Sequence, residues 1–423
     1  MKLFRWLRPG VHVKRWLFLF GIGMMITSFG LILTFNYEWI GALEEWTFRM
    51  LYEVTGHYNY TVLASSGIVI LLAGILIMGW TTRRLVRNML SLVMPGESGN
   101  FSNLILENLK LSKGPKVVVI GGGTGLSVLL RGLKSKTYNL TAVVTVADDG
   151  GSSGRLRREF DCLPPGDLRM ALAALCDDST DWGTTWRDVL QHRFKGQGEL
   201  DNHALGNLLI LALWQLLEDD LAGLDWVGRL LNIHGRVVPM SSSPLVIEAD
   251  SWQGDNCEHL SGQAAVAKAT GCVKHLAVVP ADADAHPEAV RAIDAADWVL
   301  LGPGSWYTSV LPHLLLPAMH RALVSTKAKK AVIMNLGTAK AETVGMGAAD
   351  LLEALEAYAP DLRIDAVICD PRQCGDRARL VACTERMGGT LMEFEVSRDA
   401  YGWVHDPLLL GSALKQTFES LGA

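Results

Sequence analysis

Lys116–Leu133 reads KVVVIGGGTGLSVLLRGL, and the order of its parts decides the fold. A β-branched run at 116–120 leads into Gly121-Gly122-Gly123-Thr124-Gly125, and apolar residues at helical spacing follow from Leu126 to Leu133. Strand, glycine loop and helix in that order open a βαβ unit, where backbone N–H groups and the helix dipole hold a phosphate without a side-chain charge. The spacing is not G-x-G-x-x-G. Leu126-Ser127 stand where a P-loop has its Lys, which disfavours an ATP-hydrolysing loop. A tight strand-to-helix turn is the alternative reading of the glycines alone.

Outward from this unit, Leu140–Ala147 (LTAVVTVA) is the next buried strand, and it ends in Asp148-Asp149, where doubly wound folds place an acid on a ribose. A second glycine and hydroxyl loop follows at Gly150-Gly151-Ser152-Ser153-Gly154-Arg155. Ser152, Ser153 and Arg155 are candidate contacts to phosphate or sugar, whereas Arg157 and Arg158 read as a solvated helix face. Pro164-Pro165-Gly166 precedes a helix, which makes Asp167 an N-cap and Arg169 a surface residue, with metal or substrate binding as the rival role. Mg²⁺ on Asp149 and Asp167 is the one metal expectation. Asn207, in the apolar stretch 204–217, needs either an internal partner or a ligand. A third loop, Leu301–Ser309 (LGPGSWYTS), adds Gly302, Gly304, Ser305 and Thr308. His203, His234, His275, His286, His313 and His320 show no metal-ligand spacing and read as ordinary.

Further strands are expected at 274–280, 298–301, 330–336 and 365–369, with helices at 287–296, 312–326, 348–358 and 406–421. Their alternation predicts an α/β fold, a Rossmann-like doubly wound parallel sheet, with a helical sub-lobe between about 167 and 233 that includes a buried helix at 204–217. Seven scattered cysteines without a Cys-x-x-Cys pair argue against disulfides and structural zinc. A net charge of −5 with no basic stripe excludes nucleic acid as an expected partner.

The mean hydropathy of +0.21 is high for such a body, and its source lies in residues 1–90. Uncharged runs at 16–35 and 60–80 are each long enough for the hydrocarbon layer, and five of the chain's 13 Trp fall in the first 80 residues. Lys2, Arg5, Arg8, Lys14 and Arg15 precede the first run, and Arg83, Arg84 and Arg87 follow the second. These features predict a two-helix hairpin in the cytoplasmic membrane with both ends inside, a short interfacial helix at 39–54, a linker at 91–115 and a cytoplasmic body at 116–423.

The strings VIGGGTGLSVLLRGLK (119–134), VTVADDGGSSGRLRREF (144–160), LPPGDLR (163–169), LGNLL (205–209) and LGPGSWYTSVLP (301–312) closely resemble the YvcK/CofD-like family of gluconeogenesis factors. ADDGGSSGR is similar to the YvcK-like version of the second loop. The resemblance implies a Rossmann-like fold whose three glycine loops hold a nucleotide sugar, notably UDP-N-acetylglucosamine, in a factor needed for cell shape and envelope synthesis on gluconeogenic carbon. CofD relatives are phospholactate transferases that build a deazaflavin coenzyme, which is the alternative function. Asn335–Thr343 lacks the Pro-Gly of the usual YvcK-like loop. A homo-oligomer is a further expectation.

Overall fold

A computed structural model of the chain describes residues 109–337, 341–398 and 404–422, and towards the N-terminus 36–56, 72–80, 82–84 and single positions between them. The chain divides into two compact units, Met1–Asn108 and Leu109–Ala423.

In the first unit the helix Asn36–Thr55 carries Glu38, Glu44, Glu45, Glu53 and Arg49, far too many charges for a lipid-facing span. Among the described residues no helix is long and apolar enough to cross a membrane, and this overturns the multi-pass membrane placement. Most of the expected run at 16–35, and the first part of that at 60–80, lie outside the described residues.

The second unit is built on a sheet of seven parallel strands in the order β10-β9-β8-β7-β1-β2-β3. These are β1 (Val117–Gly121), β2 (Leu140–Val144), β3 (Arg236–Pro239), β7 (Trp298–Leu301), β8 (Lys329–Ile333), β9 (Ala366–Cys369) and β10 (Thr390–Glu393). β1, β7 and β9 are buried at every residue, as expected of parallel strands covered on both faces. From β1 the chain runs outward through β2 and β3, then returns to β7 on the other side of β1 and runs outward again through β8, β9 and β10. The order therefore reverses between β1 and β7, and ligands of open α/β sheets lie outside the carboxyl ends of the strands at such a point.

Helix α1 (Gly123–Leu133) buries Leu126, Leu129, Leu130 and Leu133 at the i, i+3, i+4, i+7 spacing of one face. The C-terminal helix Pro407–Leu421 packs on α1 at Gly132 and Gly411, where a Cβ on Gly411 would lie 2.6 Å from the Gly132 carbonyl. The helix expected at 312–326 is divided into Pro312–Leu315 and Pro317–Ser325, because Leu316, before Pro317, is held extended (φ −81°, ψ 121°).

The strand expected at 274–280 exists as β6 (Cys272–Val279), but outside the parallel sheet. It pairs antiparallel with β4 (Val246–Gln253), which also pairs with β5 (Asn256–Ser261), in a separate three-stranded insert between β3 and β7. In the helical sub-lobe, the helix at 205–217 is buried on one side only: Ile210, Leu211 and Trp214 face the core while Leu216 is 76% exposed.

His313, in the short helix Pro312–Leu315, is fully buried, and burial pushes its pKa down to about 4. The unfolded chain takes up this proton near the ordinary value of 6.5, so stability is present above that pH and is lost as the pH falls towards 4. Over that window the loss is about 3 kcal/mol. Urea unfolding across the window should show this fall, and His313→Leu should flatten it; an unchanged slope would refute the assignment.

Candidate functional site

Three loops stand side by side at the carboxyl ends of the central strands: 122–125 after β1, 148–151 after β2 and 302–305 after β7. Each leads into a helical segment. The first two precede α1 and α2 (Gly151–Phe160), whose N-caps are Gly122 and Gly150, and neither N-cap is satisfied by a side chain. Gly123 (φ +62°) and Gly151 (φ +48°) sit in the left-handed region, and no heavy atom lies within 4 Å of the Cβ that either lacks. The backbone amides of two adjacent helix starts are thus left for an anion, with open space in front of the glycines. Thr124 is exposed at this mouth.

The other glycines of the first loop serve close packing. Gly121 is the last residue of β1. A Cβ on Gly122 would lie 2.5 Å from Oδ2 of Asp167 and 2.6 Å from Cγ2 of Thr145, and one on Gly125 would run into the Pro303 carbonyl. The third loop is held from the neighbouring strand. Asn335, just past β8, accepts from the Gly304 N–H (2.9 Å) and donates from Nδ2 to the Gly304 carbonyl (2.7 Å). Ser305 donates to Glu342, and Thr308 donates to Ser305. Gly302, Gly304 and Thr308 are buried and Ser305 is half-buried. The following Trp306–Val310 turn is π-helical, a form frequent at functional sites.

The acids face different neighbours. Asp148 Oδ1 accepts from the Gly150 N–H (3.0 Å), whereas Asp149 Oδ1 accepts from Ala264 N–H (2.9 Å) in the insert. Asp167 is in the first turn of α3 (Pro165–Leu175) and not at its N-cap, which is Pro164, and its carboxylate lies against Gly122. Among the described residues no three His, Cys, Asp or Glu side chains converge into a metal-holding group.

Behind the second loop lies a buried polar chain. Arg169, expected on the surface, is 3% exposed. Its Nε donates to Asn207 Oδ1 (2.8 Å) and its guanidinium also donates to Gln191. Burial, followed by the charge of Arg193, pushes its pKa down to about 10. Asn207 Nδ2 donates to Ser152 Oγ (2.9 Å), and Ser152 Oγ is 2.9 Å from Nδ1 of His203. Ser153 Oγ accepts from the Gly166 N–H (3.0 Å), tying α2 to α3. The Ser152, Ser153 and Asn207 side chains therefore shape the loop from within. Arg155 donates to the carbonyls of Glu199 (3.0 Å) and Asp201 (2.6 Å). Arg157, expected in solvent, is half-buried and donates to the Leu245 carbonyl (2.7 Å).

A family profile described as 2-phospho-L-lactate transferase CofD matches residues 117–390, from β1 to the start of β10. The chain belongs to the YvcK/CofD family. Within it, the chain is 39% identical over 265 residues to the gluconeogenesis factor of Bacillus subtilis, covering 63% of this chain and 81% of that one. It is 42% identical over 243 residues to the gluconeogenesis factor of Halalkalibacterium halodurans, covering 57% and 73%. The crystal structure of a protein member of the upf0052 family from Bacillus halodurans superposes with a TM-score of 0.64 at 33% identity, over 71% of this chain and 99% of that one.

The YvcK/CofD-like glycine strings are brought together as their spacing predicts, but several residues around them escape sequence reasoning. Ala264 and His203 come from distant segments and carry no local motif. Asn335 and Glu342 lie in the 335–343 stretch that the family resemblance singles out.

Proposed function

We propose that the crevice at the switch point binds a nucleotide sugar of the UDP-N-acetylglucosamine kind, and that the chain acts as a binding factor supporting envelope precursor synthesis, cell shape and growth on gluconeogenic carbon. The observation that carries this reading is the pair of glycine-capped helix starts, Gly123 and Gly151, opening on one crevice from adjacent strands. A diphosphate suits two such starts, since each offers unpaired N–H groups and the positive end of a helix dipole. Asp149, beside the second, is the acid we assign to a sugar hydroxyl; its Oδ1 accepts from Ala264 N–H and its Oδ2 lies against Gly262. The names of the Bacillus subtilis and Halalkalibacterium halodurans relatives support the gluconeogenic role.

Calorimetry on the full chain with UDP-N-acetylglucosamine, UDP, GDP and dinucleotides tests the reading. Asp149→Asn keeps an oxygen for Ala264 and removes the charge, so it is expected to weaken the nucleotide sugar by about 1–3 kcal/mol, with or without Mg²⁺. Mg²⁺-dependent transfer of a phospholactyl group to a deazaflavin acceptor, lost in Asp149→Asn, would instead establish the transferase reading.

A further inference from the structure

The buried chain behind the second loop has a fixed direction. A guanidinium only donates, so Arg169 fixes the orientation of the Asn207 amide, with Oδ1 towards Arg169 and Nδ2 towards Ser152. The Asn207 amide can then only donate to Ser152, and the Ser152 hydroxyl proton is left to point at Nδ1 of His203. Among the described residues Nδ1 is the one acceptor the Ser152 hydroxyl proton meets, which favours the tautomer with the His203 ring proton on Nε2.

We propose that His203 is a positioning residue of the crevice: as the neutral Nε2–H tautomer it takes the Ser152 hydroxyl proton and so holds the first turn of α2, whose Gly151–Ser153 amides face the ligand. This rests on the reading of the crevice as a nucleotide-sugar site. A protonated His203 would turn an N–H towards Ser152, which would then lose the acceptor for its own proton. The surroundings favour the neutral ring. His203 is 7% exposed, and burial followed by the charge of Arg155 lowers its pKa, with Arg193 acting in the same sense and Glu159 against it. Among the described residues those three are the charged groups that act on the ring. Protonation belongs to the weaker-binding state, so affinity should be level while the ring is neutral and fall only as the pH drops through the lowered pKa of the free protein, on the acid side of the ordinary 6.5.

The test uses the full chain and UDP-N-acetylglucosamine, whose diphosphate diester does not itself titrate in this range. Wild type should show the ¹⁵N signature of the Nε2–H tautomer near neutral pH, and should bind progressively more weakly, up to about tenfold per pH unit, once the pH falls below the lowered pKa of the ring. His203→Asn, which keeps an oxygen near the Nδ1 position, should bind like wild type at the higher pH and lack the acid loss. An Nδ1–H tautomer, or the same acid loss in His203→Asn, overturns the proposal. If wild type binds no nucleotide sugar at any pH, the site reading fails, and hydrogen exchange then decides the role of His203 by itself. The Gly151–Ser153 amides should loosen on acidification in wild type and not in His203→Asn; equal behaviour of the two rejects it.

Discussion

Gly123→Val is expected to weaken nucleotide-sugar binding by at least about a hundredfold, a loss of about 3 kcal/mol, while the chain stays folded. The reason lies in where the new side chain would go. No heavy atom of the protein lies within 4 Å of the missing Cβ, so the isopropyl group would stand in the open crevice where a phosphate must reach the backbone amides. The fold would bear only the strain of a branched residue at φ +62°, on the order of 1–2 kcal/mol. Gly125→Val makes the contrasting case: its side chain would meet the Pro303 carbonyl and separate the loops after β1 and β7, so binding and thermal stability should fall together. Calorimetry and circular dichroism on both variants separate the two roles. Should Gly123→Val bind like wild type, the glycine would be no more than a turn former.

Much of this site was legible because glycines and buried parallel strands obey local rules. VVVIG followed by GGTG specifies a buried strand, a left-handed step and a helix start within one short segment, and β1, its loop and α1 form there. Pairing partners are another matter. The alternation in 272–279 identifies a strand, yet nothing in it says that β4, and not the parallel sheet, supplies its hydrogen bonds. The edge strands β3 (RVVP) and β10 (TLME) lack the continuous apolar run that marks the equally short, wholly buried β7 and β9. Arg169 follows a Pro-Gly-Asp turn that looks solvent-exposed, and only the packing of α3 against the helix at 205–217 buries it. The apolar runs at 16–35 and 60–80 satisfied a length and hydropathy criterion, but among the described residues no helix is long and apolar enough to cross a membrane.

Asn207→Leu should be among the most destabilising single substitutions in the chain, at about 3–5 kcal/mol. The side chain is 1% exposed and links a buried cation to the second loop. Leucine is of similar size, so a cavity is not the issue. The guanidinium of Arg169 would lose the acceptor for its Nε–H, remaining in a low-dielectric site with Gln191, and Ser152 would lose a donor. Arg169 has no carboxylate within salt-bridge distance among the described residues, so the neutral amides provide its solvation in place of water. The effect should accordingly be non-additive. Arg169→Met with Asn207→Leu removes the charge together with its acceptor, and the double variant should regain a substantial part of the stability lost in Asn207→Leu alone. Urea unfolding of the two single variants and the double variant measures the coupling. A single-variant loss below about 1 kcal/mol, or a double variant that simply sums the two, would mean that water reaches Arg169 and that the chain from Arg169 to His203 is not the rigid support of the second loop.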